Sequence, residues 1–105
     1  MSLSENDMLS IIRQHVEAAR QADCLIHWDT RPRTAGEPVV LGRKGQSMPF
    51  DGYFVFIDLL PQANWGHPAR CLLIRLDGGE VQSHEVEFPP HVGDYPPSYR
   101  TLRLA

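Results

Sequence analysis

The chain has 105 residues, ten basic and thirteen acidic side chains, a formal net charge of −3 and 42% hydrophobic residues. This length allows one domain, and the mixture of apolar and charged residues excludes general disorder. A slightly acidic chain with no apolar run of about 18 residues predicts neither a nucleic-acid binder nor a membrane span. Because residues 1–8 show no secretion signal, we expect a cytoplasmic protein with reduced cysteines.

The N-terminal segment has the spacing of an amphipathic helix. Ser4 and Asp7 form an acidic variant of the capping box, and apolar residues then recur on one face as far as Ala22. The sequence therefore predicts a helix from this box to about Asp23, with His15 in the middle of its apolar face.

The next segments differ in how they use their two faces. Residues 24–30 alternate between apolar side chains and a mainly polar set, which predicts a strand with one buried face. Residues 38–41 predict a short edge strand because the first of them is a proline, and residues 42–52 predict a loop. Residues 53–60 are apolar on both faces, as in a strand at the centre of a sheet.

A hairpin follows these segments. Residues 69–76 and 81–88 have strand patterns and flank a turn with two glycines at its centre. If those glycines are the two loop residues, Arg70 lies opposite Glu87. The same register places Cys71 opposite Val86, Leu73 opposite His84 and Leu76 opposite Val81.

These elements predict an α+β fold, in which one N-terminal helix packs on one face of a four- to five-stranded, mainly antiparallel meander sheet. Residues 1–88 form the single domain, and residues 89–105 form a Pro-rich extended tail that packs on the sheet or on a partner. One helix covers one face only, yet the central strand and the hairpin are apolar on both. Each Å² of exposed apolar surface forfeits about 25 cal/mol, so we expect a cover on the second face.

The loop before the hairpin holds the most distinctive candidate binding residues. Trp65 lies between Asn64 and His67 in a segment with glycine and prolines, and a stiff aromatic contact surface of this kind is typical of recognition loops. In the alternative interpretation Trp65 packs against the end of the sheet and Asn64 only turns the chain.

Three further histidines are candidate binding residues. His15 is either a buried acid or base directed at the sheet, or a neutral histidine that bonds a carbonyl or carboxylate. His27 shares a strand face with Asp29, which either orients the imidazole or belongs to a solvated polar face. His84 is a diagonal neighbour of Cys71 in the predicted hairpin, so the pair is either a reactive thiolate site or an inert buried thiol beside a histidine.

No cofactor or metal site is predicted, because the chain has no C-x-x-C, H-E-x-x-H or EF-hand spacing. Residues 31–46 carry four bases against one acid, and residues 77–94 carry five acids and no base. The two patches are either solvated loops or surfaces that pair across a symmetric dimer.

Two functions from different classes follow from these observations. The leading expectation is a small intracellular protein-association domain, either a homodimer or an accessory subunit, because exposed apolar faces mark interaction sites. The alternative is a small enzyme or ligand-binding domain with a pocket between helix and sheet that uses His15, His27 or His84. The sequence shows no catalytic motif, and nucleic-acid binding through residues 31–46 is the least supported function.

Overall fold

A computed structural model describes residues 3–63, 66–91 and 93–104. These ranges contain one α-helix, α1 (Glu5–Arg13), and one 3-10 helix (Ala18–Arg20). The strands are β1 (Leu25–Asp29), β2 (Pro38–Leu41), β3 (Lys44–Ser47), β4 (Gly52–Asp58), β5 (Ala69–Arg75), β6 (Val81–Val86) and β7 (Tyr99–Leu102). In this part of the chain, no helix has the length and apolar character needed to cross a membrane.

Five of the strands form one antiparallel sheet in the order β6-β5-β4-β1-β7, and β2 pairs with β3 in a separate hairpin. The predicted α+β class with one helix and an antiparallel sheet is confirmed. Strand β4 lies at the centre and is buried along its whole length, in agreement with its apolar pattern on both faces.

Helix α1 begins at a reciprocal capping box. The Asp7 N–H donates to Ser4 Oγ (3.1 Å), and the Ser4 N–H donates to Asp7 Oδ2 (3.0 Å). The helix ends at Arg13, well before the predicted end near Asp23.

The early end of α1 has a tertiary cause. Gln21 Nε2 donates to the carbonyls of Arg13 (3.2 Å) and Val16 (3.0 Å), and the Arg70 guanidinium donates to the carbonyl of His15. These bonds satisfy carbonyls that a continuing helix would use internally, so the chain turns here instead. The prediction that places His15 on the apolar face of a long helix is therefore wrong, since His15 lies beyond its end and is half-buried.

The segment predicted as a loop at residues 42–52 contains strand β3. Gly42 makes the tight turn from β2 with a φ of +65°, a backbone conformation that favours glycine. In this hairpin the β2 side chains Val39 and Leu41 are buried, whereas Val40 is 48% exposed. Strand β2 is apolar, whereas β3 is polar and contains a glycine. The pair therefore lacks the alternation by which a hairpin is recognised, and the sequence does not predict β3.

Strands β5 and β6 pair two residues away from the predicted register. Arg70 lies opposite Glu85, where the sequence predicts Glu87, and His84 lies opposite Cys71. A shift of two residues returns each side chain to the same face, so the predicted division of the hairpin between two apolar faces is unaffected.

The turn between β5 and β6 explains this shift. The Arg75 N–H donates to the carbonyl of Glu80 (2.9 Å), so the loop is longer than two glycines. The Asp77 carboxylate shapes it by accepting from the Gly79 N–H (2.8 Å) and from Arg75 Nη2 (2.8 Å). A side chain that accepts from its own turn stabilises this wider loop.

The two faces of the sheet bury separate hydrophobic clusters. Met8 and Ile12 of α1 belong to the first cluster, together with the inward side chains of β1, β4 and β5. The first-face cluster contains Met8, Ile12, Val16, Cys24, Ile26, Trp28, Tyr53, Val55, Ile57, Leu59, Leu72, Ile74 and Leu104. The second-face cluster contains Val39, Leu41, Met48, Phe54, Phe56, Ala69, Cys71 and Leu73.

The second face is covered by the chain itself. The β2–β3 hairpin contributes Val39 and Leu41 to its cluster, and Met48 follows β3 into the same cluster. Further cover comes from the segment that we name the strap, residues 88–91 and 93–97. Its Tyr95 ring stacks on His27 with centroids 4.2 Å apart, and the His27 ring in turn lies 6.2 Å from Phe56. The bare apolar face from which a partner was expected is therefore not present among the described residues.

Candidate functional site

Four of the six residues that the sequence singles out belong to the described residues. Asn64 and Trp65 fall outside the described residues. His15 follows α1, and His84 lies on β6 with its Nε2 3.3 Å from Gln82 Oε1. His27 lies under the strap, where burial lowers its pKa and its Nδ1 is 3.3 Å from Thr101 Oγ1. No contact among the described residues joins these three histidines, so they do not form one site.

Cys71 and His84 lie directly opposite each other on β5 and β6, but the thiol is not activated. Cys71 is buried in the second-face cluster, and burial raises its pKa to about 12. A thiol with this pKa is protonated at neutral pH and is a poor nucleophile. Both Cys24 and Cys71 are free and buried.

His67 is buried and belongs to a pair that shapes the loop after β4. Its Nε2 lies 3.4 Å from Asp58 Oδ1, and its Nδ1 lies 2.9 Å from the carbonyl of Pro68. Asp58 Oδ1 also accepts from the Leu60 N–H (3.1 Å). Burial raises the Asp58 pKa, partly offset by the Leu60 N–H and by His67. The sequence predicts His67 on an exposed recognition loop. In the structure His67 is buried, and its contact with Asp58 holds the two ends of that loop together.

A cavity lies beside this loop, and we name it the end cavity. The register of the sheet explains its position, because Leu25 at the start of β1 pairs with Asp58 at the end of β4, and Ile26 pairs with Leu102 at the end of β7. The segments that leave these three strands therefore meet at one end of the sheet. They border a cavity that is open to solvent, with a volume of about 530 Å³. The lining residues are Ala22, Asp23, Leu60, Pro61, Gln62, Ala63 and Arg103.

Each wall of the end cavity is held by contacts outside it. The wall from Leu60 to Ala63 is a turn closed by the Ala63 N–H, which donates to the Leu60 carbonyl (3.0 Å), and is fixed to β4 through Asp58. The wall that carries Arg103 is fixed at the next residue, because Arg13 Nη2 donates to the Leu104 carbonyl (3.0 Å).

The third wall precedes β1. The Cys24 N–H donates to the carbonyl of Arg20 (3.1 Å), and Cys24 Sγ lies 3.7 Å from the carbonyl of Gln21. Because Cys24 is buried in the first-face cluster, these contacts hold Ala22 and Asp23 close to the body of the sheet.

Two side chains of opposite charge line the end cavity. Within the described ranges, neither the Asp23 carboxylate nor the Arg103 guanidinium makes a hydrogen bond or an ion pair. Most other charged side chains have partners, such as Arg100 with Glu5 (3.0 Å) and Arg31 with Glu37 (2.8 Å). The apolar part of the lining includes Leu60, which is 42% exposed. The end cavity therefore combines an acceptor, a donor and an apolar wall.

The sequence did not point to Asp23, Leu60 or Arg103. The first and last are separated by almost the whole chain, and a charged residue next to a strand end is an ordinary solvated residue unless the fold brings an opposite charge to the same place. The one local signal is the unusual loop at residues 61–68, of which residues 61–63 form part of the wall.

Among the described residues, no group of three or more His, Cys, Asp or Glu side chains is arranged to hold a metal ion. No family model, curated protein or solved structure matches the chain. The functional proposal therefore depends on the chemistry of the end cavity itself.

Proposed function

We propose that this protein is a small ligand-binding domain whose end cavity takes a zwitterion, an amino-acid-like molecule with an aliphatic body. Asp23 accepts from the ligand ammonium, Arg103 donates to its carboxylate, and Leu60 with Pro61 contacts the aliphatic part. The observation that carries the proposal is a pair of opposite charges on the walls of one cavity, whose side chains have no partner among the described residues.

The size of the end cavity supports this class of ligand. Pockets for small molecules have volumes of about 300 to 1,000 Å³ and combine an apolar lining with a few polar groups. A volume of about 530 Å³ accommodates a free amino acid with room for water. A guanidinium matches the two oxygens of a carboxylate with parallel hydrogen bonds, which favours this orientation of the ligand.

This proposal keeps the class of the alternative function expected from the sequence, a ligand-binding domain, but differs from it in the position and the residues of the site. The cavity lies at the end of the sheet and not between helix and sheet, and none of its lining residues is a histidine. The association hypothesis was based on an uncovered second face, which the hairpin and the strap cover. Val40 and Leu60 are the two large apolar side chains that remain exposed among the described residues. Association therefore stays a prediction without its original reason.

Isothermal titration calorimetry with L-leucine tests the proposal. 4-Methylpentanoate lacks the ammonium, and isoamylamine lacks the carboxylate, so each analogue removes one of the two charged contacts. A hydrogen bond to a charged group is worth about 1.5 to 3 kcal/mol. We therefore expect each analogue to bind roughly 10- to 100-fold more weakly than L-leucine.

Charge-neutralising variants separate the end cavity from the general surface. Asp23→Asn and Arg103→Gln remove one charge each and should weaken L-leucine binding by about tenfold or more. Asp94→Asn and Lys44→Gln are matched controls, because these two residues also lack charged partners among the described residues and do not line the cavity. The proposal is wrong if L-leucine does not bind, or if the control variants weaken binding as much as the cavity variants.

A further inference from the structure

The second face of the sheet holds a smaller cavity, which we name the strap cleft. It lies between β2, the strap and the sheet and has a volume of about 160 Å³. Its lining includes Arg33, Val40, Phe54, His91 and Tyr99 and shares no residue with the lining of the end cavity. A cavity of about 150 Å³ is sufficient for a single benzene ring. The strap cleft therefore has room for a ligand built on one small ring.

The backbone of Arg33 is fixed beside β4. Its N–H donates to the Gly52 carbonyl (2.7 Å), and its carbonyl accepts from the Gly52 N–H (2.9 Å). Residue 52 has to be glycine, because a Cβ there would lie 2.3 Å from the carbonyl oxygen of Ile74. This close approach sets the position from which the Arg33 side chain enters the cleft.

The Arg33 guanidinium is only partly satisfied by the protein. Its Nη2 lies 3.2 Å from Asp29 Oδ2 and 3.3 Å from the Tyr99 hydroxyl oxygen. The side chain is 14% exposed, and within the described ranges its buried Nε–H has no hydrogen-bond partner. A buried donor without an acceptor costs about 1 to 3 kcal/mol, so this position favours a molecule that supplies an acceptor.

The walls around Arg33 are rings. The Arg33 Cζ lies 5.0 Å from the centroid of the Phe54 ring, and Phe54 meets Tyr99 edge-on at 6.5 Å. His91 meets Tyr99 edge-on at 5.5 Å. Aromatic walls at these spacings favour a flat ligand, which gains contact on its face and at its edge.

We propose that the strap cleft binds a small planar carboxylate, with one carboxylate oxygen accepting from Arg33 Nε. The lining offers a guanidinium whose fork matches two oxygens, and a carboxylate accepts at both of them. A carboxamide of the same shape has one oxygen and directs an NH₂ group at the guanidinium. Because Asp29 already offsets the Arg33 charge, the preference for carboxylate over carboxamide arises from these directed bonds.

The strap is the part of the cover through which such a ligand enters. Among its described residues, one backbone hydrogen bond reaches a strand of the sheet, a local turn in which the Tyr99 N–H donates to the Pro96 carbonyl (3.0 Å), and none reaches the β2–β3 hairpin. Tyr95 attaches it by stacking on His27, and His91 attaches it by contacts with Tyr95 and Tyr99. Segments held mainly by side-chain contacts open at low free-energy cost compared with strands that are hydrogen-bonded along their length.

NMR titration of the ¹⁵N-labelled full chain with benzoate tests the proposal. We expect a saturable shift of the Arg33 Nε–H resonance. Benzamide should bind roughly tenfold more weakly, since it loses one charge-assisted hydrogen bond. Absence of a saturable shift, or equal binding of benzamide, overturns the assignment of a carboxylate site.

Two variants locate the binding. Val40→Trp fills the mouth of the cleft from an exposed position and should weaken benzoate binding by roughly tenfold, whereas Val40→Ala should retain it. Arg33→Lys keeps a cation beside Asp29 but removes Nε, so it should lose the same interaction even if Val40→Trp proves unstable. Benzoate binding that survives both Val40→Trp and Arg33→Lys refutes the proposal. Asp23→Asn should leave benzoate binding unchanged, which distinguishes this site from the end cavity.

Discussion

The two faces of the sheet bury similar apolar strands but acquire their cover in different ways. The cluster on the first face includes side chains of α1, a capped helix whose backbone hydrogen bonds lie within the helix itself. The second face lies under a two-stranded hairpin and a proline-rich strap held by rings. An apolar strand pattern therefore predicts that a cover exists, and in this chain a helix contributes to it on one face while a hairpin and an irregular segment supply it on the other.

The sharpest test of this comparison uses two adjacent leucines of β5. Leu72 and Leu73 are fully buried on opposite faces. Replacement of a buried leucine by alanine costs about 2 to 5 kcal/mol, so Leu72→Ala and Leu73→Ala should lower the free energy of unfolding by similar amounts. Urea denaturation of each variant, carried out on the monomeric protein, measures this free energy of unfolding. A Leu73→Ala cost below about 0.5 kcal/mol, typical of surface positions, would show that the second face is open in solution.

The strap itself is tested by Tyr95→Ala. The variant loses the stack on His27 and the half-buried ring, which together should cost about 2 kcal/mol. Amide hydrogen exchange should accelerate in β1 and β7 before it does so in α1. Pro97→Ala, at an exposed position of the same strap, is the matched control and should change little. Uniform acceleration across both faces would contradict a strap that opens independently.

On the first face, the equivalent local contact is the helix cap. Ser4→Ala removes the acceptor for the Asp7 N–H and should cost about 1 kcal/mol. Ser10→Ala, an exposed position inside α1, is the control and should be neutral or slightly stabilising because alanine favours a helix. Thermal denaturation followed by far-UV circular dichroism measures both variants. Equal effects of the two substitutions would show that the cap does not stabilise α1.

The smallest expected effect is that of Asp77, in the turn that joins β5 to β6. Hydrogen bonds from Arg75 and from the Gly79 N–H lower the Asp77 pKa to about 2, below its ordinary value of 3.8. The stabilisation by Asp77 is therefore complete above pH 3.8 and is lost as the pH falls through about 2. The melting temperature of the wild type should exceed that of Asp77→Ala by a small margin at pH 5, and this margin should shrink towards pH 2. A margin independent of pH would assign the effect to the turn backbone instead of to the charge.

Much of the fold could be predicted because its signals are local. The capping box of Ser4 and Asp7, the central position of β4 and the division of β5 side chains between two faces all follow from spacing along the chain. The end of α1 and the register of β6 could not be predicted, because Gln21, Arg70 and Asp77 determine them through hydrogen bonds that the apolar pattern does not contain.

The candidate sites were less accessible to prediction than the fold. His67 was singled out as an exposed residue, yet it is buried against Asp58. Asp23 and Arg103 were not singled out, because a solvated charge and a ligand-binding charge have the same local sequence pattern. The sequence shows Arg33 only as one of the four bases of residues 31–46. Its role in the proposed site depends on the Nε–H, which only the fold buries.

By itself, the amino-acid sequence determined that one helix and an antiparallel sheet form, and which side chains of each strand lie on the same face. Helical and strand periodicities are properties of the covalent chain, so they can be read before any long-range contact is known. The tertiary structure alone decided what covers the second face and which charges line a cavity. These features depend on segments far apart in the chain, and their proximity results from the packing of the whole molecule.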